Sequence, residues 1–395
     1  MPEIKSEILF WARETSGLTA EEAAKKLQLK DSKTATGVEK LLAYENGKQP
    51  SRALLIKMSK QYRKPLLAFY MDKPPIKGDR GEDYRTLPEG IEPKDDALVD
   101  ALIRDIKARQ SFLRETMIEE DEGENLPFIG SATLDHGISN VADAIVKTLD
   151  FDLGEFRGFK KTDDAFKYLR SAAEHLGIYV ILAGNLGSHH SNIDTKIFRG
   201  FVLSDEIAPF IVINDQDAKS AWCFTLLHEI VHLWLGQTGV SGAFAESNVE
   251  QFCNDVASEV LLPSKELSGF VPDTTSFESL AQEISAFASE RNISSGLVSY
   301  RLLRQGYIEK SQWFELSDHF KNQWLAHKAR QRAKSKQQEG GPSYFVVRRS
   351  KLGNALVSFA ERMLNAGAIS TTKAGLLLGV KPLKVHKLFD SSGAI

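Results

Sequence analysis

His228-Glu229-Ile230-Val231-His232 lies inside an apolar run, 221–235, that contains no proline and a glycine only beyond its end, at Gly236. A run of that length and composition reads as a buried helix. On a helix, positions i and i+4 share one face, so both imidazoles reach a single metal ion. Glu229 then points beside that ion, where it takes a proton from a metal-bound water. Zinc lowers the pKa of such a water to near neutrality, and the resulting hydroxide attacks a peptide carbonyl. Two histidines merely satisfied within a core are the plainer alternative.

A catalytic zinc needs a third protein ligand, and a Glu from a following helix is a common supplier. The segment 250–263 reads as that helix, with Phe252, Val256 and Val260 marking its buried stripe and Pro263 stopping it. Glu250 and Asn254 stand one turn apart and face the first helix together. Glu250 is therefore the expected third ligand, and Asn254 the expected orienting group behind the ligands. Asp255 and Glu259 fall outside this face. The glycines between 236 and 242 supply a loop that folds one helix back on the other.

These segments resemble the ImmA/IrrE family of zinc-dependent metallopeptidases. The resemblance is carried by Phe224-Thr225-Leu226-Leu227-His228-Glu229-Ile230-Val231-His232-Leu233 and by Glu250-x-x-x-Asn254 running to Leu261-Leu262-Pro263. Gly177-Ile178-Tyr179-Val180, Arg199-Gly200-Phe201-Val202-Leu203 and Ala208-Pro209-Phe210-Ile211-Val212-Ile213-Asn214 add to it. The likeness spans about residues 80–310. It implies that His228, His232 and Glu250 hold zinc, that Glu229 is the general base, and that the substrate is a repressor protein of a mobile element or stress response. Cys253 stands where the family often has Ala, and a buried free Cys packs as a small hydrophobe. The ligand types favour Zn2+ and also admit manganese, iron or cobalt.

With 395 residues, two or three domains are expected. Cys223 and Cys253 are the only cysteines, too few for a disulfide framework, and both fall in the two motif helices as packing residues. No secretory signal or bilayer-spanning run appears, so a cytoplasmic location and no membrane partner are expected. Fifty Lys+Arg nearly balance 53 Asp+Glu, but they are unevenly spread. Between 201 and 290 only Lys219 and Lys265 are basic; beyond Lys321 only Glu339, Glu361 and Asp390 are acidic. Basic ends suit nucleic acid or an acidic partner.

The N-terminal stretch carries four helical patterns. Ile8-Leu9-Phe10-Trp11-Ala12-Arg13 is an apolar stripe, Thr19-Ala20-Glu21-Glu22 caps a second helix, a third runs from about Thr36 to Gly47, and Pro50-Ser51 opens a fourth. Gly17-Leu18-Thr19-x-x-Glu22-Ala23-Ala24 and Tyr44-Glu45-Asn46-Gly47-Lys48-x-Pro50-Ser51 resemble an XRE/Cro-type helix-turn-helix domain. That resemblance implies binding to double-stranded DNA, with the third helix in the major groove. Thr34, Thr36, Glu39 and Lys40 are then the groove-facing candidates, and Lys48 and Arg52 the phosphate contacts. Residues 30–35 read as an insertion before the third helix, and that helix is poor in Arg and Gln, so protein docking or dimerisation is the competing reading.

Asp83-Tyr84-Arg85-Thr86-Leu87-Pro88 resembles a segment that precedes the peptidase part in fused relatives. A long helix over about 95–119 is expected to pack across the peptidase core. Strands are expected at 178–182, 200–203 and 209–214, forming a small sheet that leads into the zinc helix. His189-His190 reads as a solvated loop pair. Tyr300 and Arg301 read as structural residues, with oxyanion stabilisation as the alternative. The Lys/Arg/Gln-rich stretch 328–342 reads as an exposed linker. A helix over 352–364 and a helix-turn-helix-like pair through Phe389 follow. Lys373, Lys381, Lys384 and Lys387 there suit a second nucleic-acid contact or docking on an acidic surface equally.

The sequence thus predicts a predominantly helical α+β chain. Its expected parts are an XRE-type helix-turn-helix bundle (1–75), a linker and packing helix (76–130), a zincin-like peptidase with a small sheet (131–325), a basic mobile linker (326–342) and a small basic helical domain (343–395). The expected function is a zinc endopeptidase with a DNA-binding module that cuts a repressor or partner protein. The alternative is an antitoxin or transcription regulator that binds a toxin-like partner and operator DNA with little peptidase activity. A homodimer fits either.

Overall fold

The computed structural model describes residues 3–74, 92–187, 191–241, 248–270, 272–273, 276–337 and 340–393. The segment 83–88 and the pair His189-His190 lie outside these residues. The chain is mainly helical with one small sheet, as expected, and it divides into two compact units. The first comprises residues 1–106 together with 185–193; the second comprises the rest.

In the first unit the four expected helices are present: α1 (Ser6–Glu14), α2 (Ala20–Leu27), α3 (Gly37–Glu45) and α4 (Arg52–Tyr62). Thr19 with Glu22, and Thr36 with Glu39, form reciprocal capping boxes that satisfy the first backbone N–H groups of α2 and α3. Ile8, Leu9, Ala12, Leu27, Leu41, Leu55, Met58, Tyr62 and Phe69 form its core. Within that core Arg13 grips Glu45 through two bonds, Nε to Oε1 at 2.7 Å and Nη2 to Oε2 at 3.0 Å. A long helix, α5 (Pro93–Glu119), begins in this unit and continues in the second from Lys107.

The second unit continues with α6 (Ile138–Leu149), α7 (Leu153–Gly158), α8 (Thr162–His175), β1 (Tyr179–Leu182), β2 (Gly200–Leu203), β3 (Phe210–Ile213), α9 (Lys219–Trp234) and β4 (Gly239–Ser241). After these come α10 (Asn248–Leu261), α11 (Ser264–Leu267), α12 (Phe277–Ser289), α13 (Ser295–Arg304) and α14 (Lys310–Gln337). The last four are α15 (Tyr344–Leu352), α16 (Asn354–Asn365), α17 (Thr371–Leu378) and α18 (Val385–Phe389). The sheet order is β1-β3-β2-β4, with β1 parallel to β3 and the other pairs antiparallel. The segment 236–242 is therefore not only a loop, because its middle pairs with β2.

Residues of β1, β2 and β3 are buried throughout, as in a sheet covered on both faces. Alternation along the strands sends Val180, Leu182, Val202, Ile211 and Ile213 into the core that includes α9 and α10. On the other face Tyr179 stacks on Phe210, and the Tyr179 hydroxyl meets Met117 Sδ of α5 at 3.7 Å. Gln110 of α5 donates to the carbonyls of Leu203 and Ala208, so the C-terminal half of this helix packs on the peptidase core as expected.

The C-terminal third differs from expectation in one stretch. The stretch expected as a mobile linker, 326–342, is helical through Gln337, as the last three turns of α14. Its Ala, Lys, Arg and Gln are strong helix formers, and composition alone hid that. The helix expected over 352–364 is present as α16 from Asn354, and Gly353, at φ +86°, separates it from α15. Here a clasp forms. Arg170 and Glu174 of α8, an ion pair of 3.0 Å, are both almost fully buried. Arg170 Nη1 donates to the Ser350 carbonyl at 2.6 Å, and Glu174 accepts from the backbone N–H groups of Asn354 and Ala355. A side chain at Gly353 would collide with both partners.

Candidate metal centre

The motif helix α9 is buried along 225–234, with His228, Glu229 and His232 at 4%, 0% and 3% exposure. Helix α10 packs against α9 and brings in Glu250, from its first turn. His228 Nε2 lies 3.2 Å from Glu250 Oε2, His232 Nε2 lies 3.3 Å from Glu250 Oε1, and the two Nε2 atoms are 3.2 Å apart. Each imidazole meets a different oxygen of Glu250, and ligand atoms on a tetrahedral zinc with bonds of about 2.0–2.1 Å stand about 3.3–3.4 Å apart, so the spacing of these donors is of the size one such ion needs. These three are also the metal-ligating group found among the described residues.

Burial works to raise the Glu250 carboxyl, but hydrogen bonding and the charge of both imidazoles outweigh it and hold it well below the usual carboxylate range. A carboxylate kept ionised in a buried place is the form a cation requires.

Glu229 is held against β2 by a feature that the motif does not reveal. Gly200 shares its strand face with Val202 and so points toward α9. A Cβ built there would stand 2.6 Å from Glu229 Oε1 and 2.7 Å from Thr225 Cγ2. The missing side chain is the space that the carboxylate fills. The strand register alone shows what Gly200 faces.

Asn254 is half-buried one turn beyond Glu250 on α10. Asp255 lies off the metal-facing side, where it accepts from the Tyr300 hydroxyl at 2.7 Å and from Arg304 Nε and Nη2 at 2.8 and 2.6 Å. Arg301 bonds Glu259 and Ser264. Tyr300 and Arg301 are thus fasteners between α13 and α10.

In the first unit, Thr34, Thr36, Glu39, Lys48 and Arg52 are exposed, and Lys40 is half-buried. Several of these side chains are engaged locally. Glu39 accepts from Thr36 N at 2.7 Å, Lys40 Nζ donates to the Lys30 carbonyl at 2.6 Å, and Lys48 lies over the Tyr44 ring at 5.2 Å. The 30–36 turn is tied further by Asp31 accepting from Gly37 N at 2.6 Å.

His228, His232 and Glu250 are a buried set of side chains that could hold a metal ion. Residues 173–303, about a third of the chain, match the family model for the IrrE N-terminal-like domain of the M78 peptidases. The match covers β1 to α13 with both motif helices, a narrower span than the 80–310 expected. No curated protein matches the chain. No solved structure matches it either. No described helix is long and apolar enough to cross a membrane.

Proposed function

We propose that this chain is a zinc-dependent endopeptidase that cuts a partner protein, a repressor of gene expression, and that its first unit engages double-stranded DNA. The observation that carries the reading is the His228–His232–Glu250 triangle with Glu229 buried next to it. His228, His232 and Glu250 would hold the zinc, which when bound supplies Lewis acidity and an acidified water. Glu229 accepts a proton at a carboxylate oxygen and returns it to the leaving amine, and Gly200 fixes where that oxygen stands. Helices α9 and α10 keep bulk water from the carboxylates and position the ligands before the metal arrives.

The test pairs metal content with cleavage. Purified chain should carry about one zinc, and His228→Ala should carry none. Incubation with proteins encoded by neighbouring genes should yield a discrete cut, slowed by about 10²–10⁴ in Glu229→Gln, the usual worth of a positioned base. Zinc with a stable but uncut complex would replace the peptidase by a binding regulator. Absence of metal after reconstitution would remove the site.

A further inference from the structure

Helix α17 starts at Ser370, whose Oγ accepts from Lys373 N at 3.3 Å, and ends at Gly379 in the left-handed region at φ +61°. Residues 379–381 make the turn, and Pro382 opens a short 3-10 segment that runs directly into α18. Two features fix the angle of this turn. A Cβ on Gly375 would meet the Val380 carbonyl oxygen at 2.9 Å and Pro382 Cα at 3.3 Å, so the second helical segment starts pressed against the first. Arg348 of α15 closes the C-terminus of α17 by donating to the Leu378 carbonyl through Nε at 3.1 Å and Nη2 at 2.7 Å. Leu356, Ala360, Met363, Ala374, Leu377, Leu378, Val385, Leu388 and Phe389 are buried and make the small core of this part. Two helical segments joined by a short glycine-containing turn and backed by a third helix form the helix-turn-helix arrangement.

The outer surface of the second segment is basic. Lys381, Leu383, Lys384, His386 and Lys387 are exposed, and among the described residues no carboxylate pairs with Lys381, Lys384 or Lys387. Lys381 precedes the 3-10 segment, Lys384 closes it and Lys387 lies in α18, so an exposed lysine recurs at every third position from the turn into the helix. Leu383 is 94% exposed beside them, and Leu376 of α17 is 72% exposed.

We infer that residues 371–389 form a second nucleic-acid-binding element, which lays Lys381, Lys384 and Lys387 along a phosphate backbone of duplex DNA. The occupant is argued from charge and shape together. A short helical segment with exposed lysines at every third position fits a groove lined by phosphates, and the protruding Leu383 suits apolar contact with a thymine methyl. An acidic protein partner would satisfy the charge, but it leaves the two isolated leucines without a continuous apolar patch to join.

The experiment is fluorescence anisotropy of the full chain on a labelled 30-base-pair duplex of mixed sequence, from 50 to 200 mM salt. A variant with Lys381, Lys384 and Lys387 all changed to Ala should bind about tenfold or more weakly. Its slope of log K against log salt should shrink by about 2–3, roughly one unit for each phosphate that no longer meets a lysine. Leu383→Glu should also weaken binding, and circular dichroism should show both variants folded. Unchanged affinity and slope in the triple variant would overturn the inference. So would competition by polyglutamate as effective as that by unlabelled duplex, which would mark an indiscriminate anion contact. Lys48→Ala with Arg52→Ala, measured alongside, reports on the first unit, so the two DNA contacts fail or stand separately.

Discussion

Arg13 and Glu45 in the first unit, and His228, His232 and Glu250 in the second, are both sets of buried polar side chains on crossing helices. In the first set a guanidinium fork meets a carboxylate through two bonds, and donors and acceptors match. In the second set two imidazole nitrogens and a carboxylate bring their ligand atoms within 4.8 Å of one another, and Glu229 is buried in the same helix as the imidazoles. The first arrangement is complete as it stands. In the second the imidazoles satisfy Glu250 as hydrogen-bond donors, and the same nitrogens become ligands when a cation takes the place of their protons. Burial of polar groups therefore marks a site when the donors can give up their protons to a cation, and marks architecture when, like a guanidinium, they cannot.

The largest test of that contrast is Glu45→Ala. It leaves the half-buried Arg13 guanidinium with only the Leu18 carbonyl as acceptor and should cost about 1–3 kcal/mol of stability. Region-resolved hydrogen exchange should show the loss in α1 to α4, with zinc content and cleavage unaltered. An equal loss around α9 and α10 would break the separation between the two regions.

A smaller effect is expected from Gly200→Ala. The added methyl displaces the Glu229 carboxylate by a fraction of an ångström and leaves the triangle intact. Cleavage should fall about 10- to 100-fold with zinc content unchanged, because small misplacements of a reacting group are costly. Full activity in this variant would show that Glu229 has room to spare.

The smallest effect belongs to Lys64, a buried cation in the first unit. Burial pushes its ammonium down to about 8, Arg104 lowers it further, Asp100 opposes, and the Trp11 ring lies 4.6 Å beneath. The unfolded chain holds this proton more tightly than the folded one. Stability is therefore reduced below about pH 8 and recovers as pH rises from there toward the unfolded value. Lys64→Met should raise the melting temperature of the first unit at pH 7 and flatten its change between pH 8 and 10. A melting temperature that falls would mean that packing on Trp11 outweighs the cost of burial.

Much of the site was legible in the sequence because the i, i+4 spacing of His228 and His232 fixes a helix face without any tertiary information. Glu250 followed from the need for a third ligand and from the stripe of Phe252, Val256 and Val260. The role of Gly200 was hidden because it depends on which strand face meets α9, a matter of register. β4 was hidden by Gly239 and by its three-residue length. In α14 high charge pointed to a linker, while the same residues favour helix.

The clasp of Arg170 and Glu174 on residues 350–355 has a consequence for anyone who divides this chain. The family match starts at residue 173, inside α8, and stops at 303. A fragment cut to those limits would lack Arg170 and leave Glu174 facing water where the backbone of Asn354 and Ala355 had been. It would also lose the Gln110 bonds to β2 and its neighbouring loop. The limits of the family match and the limits of the packing are different lines on this molecule, and the smallest fragment that keeps these contacts reaches past both ends of the match.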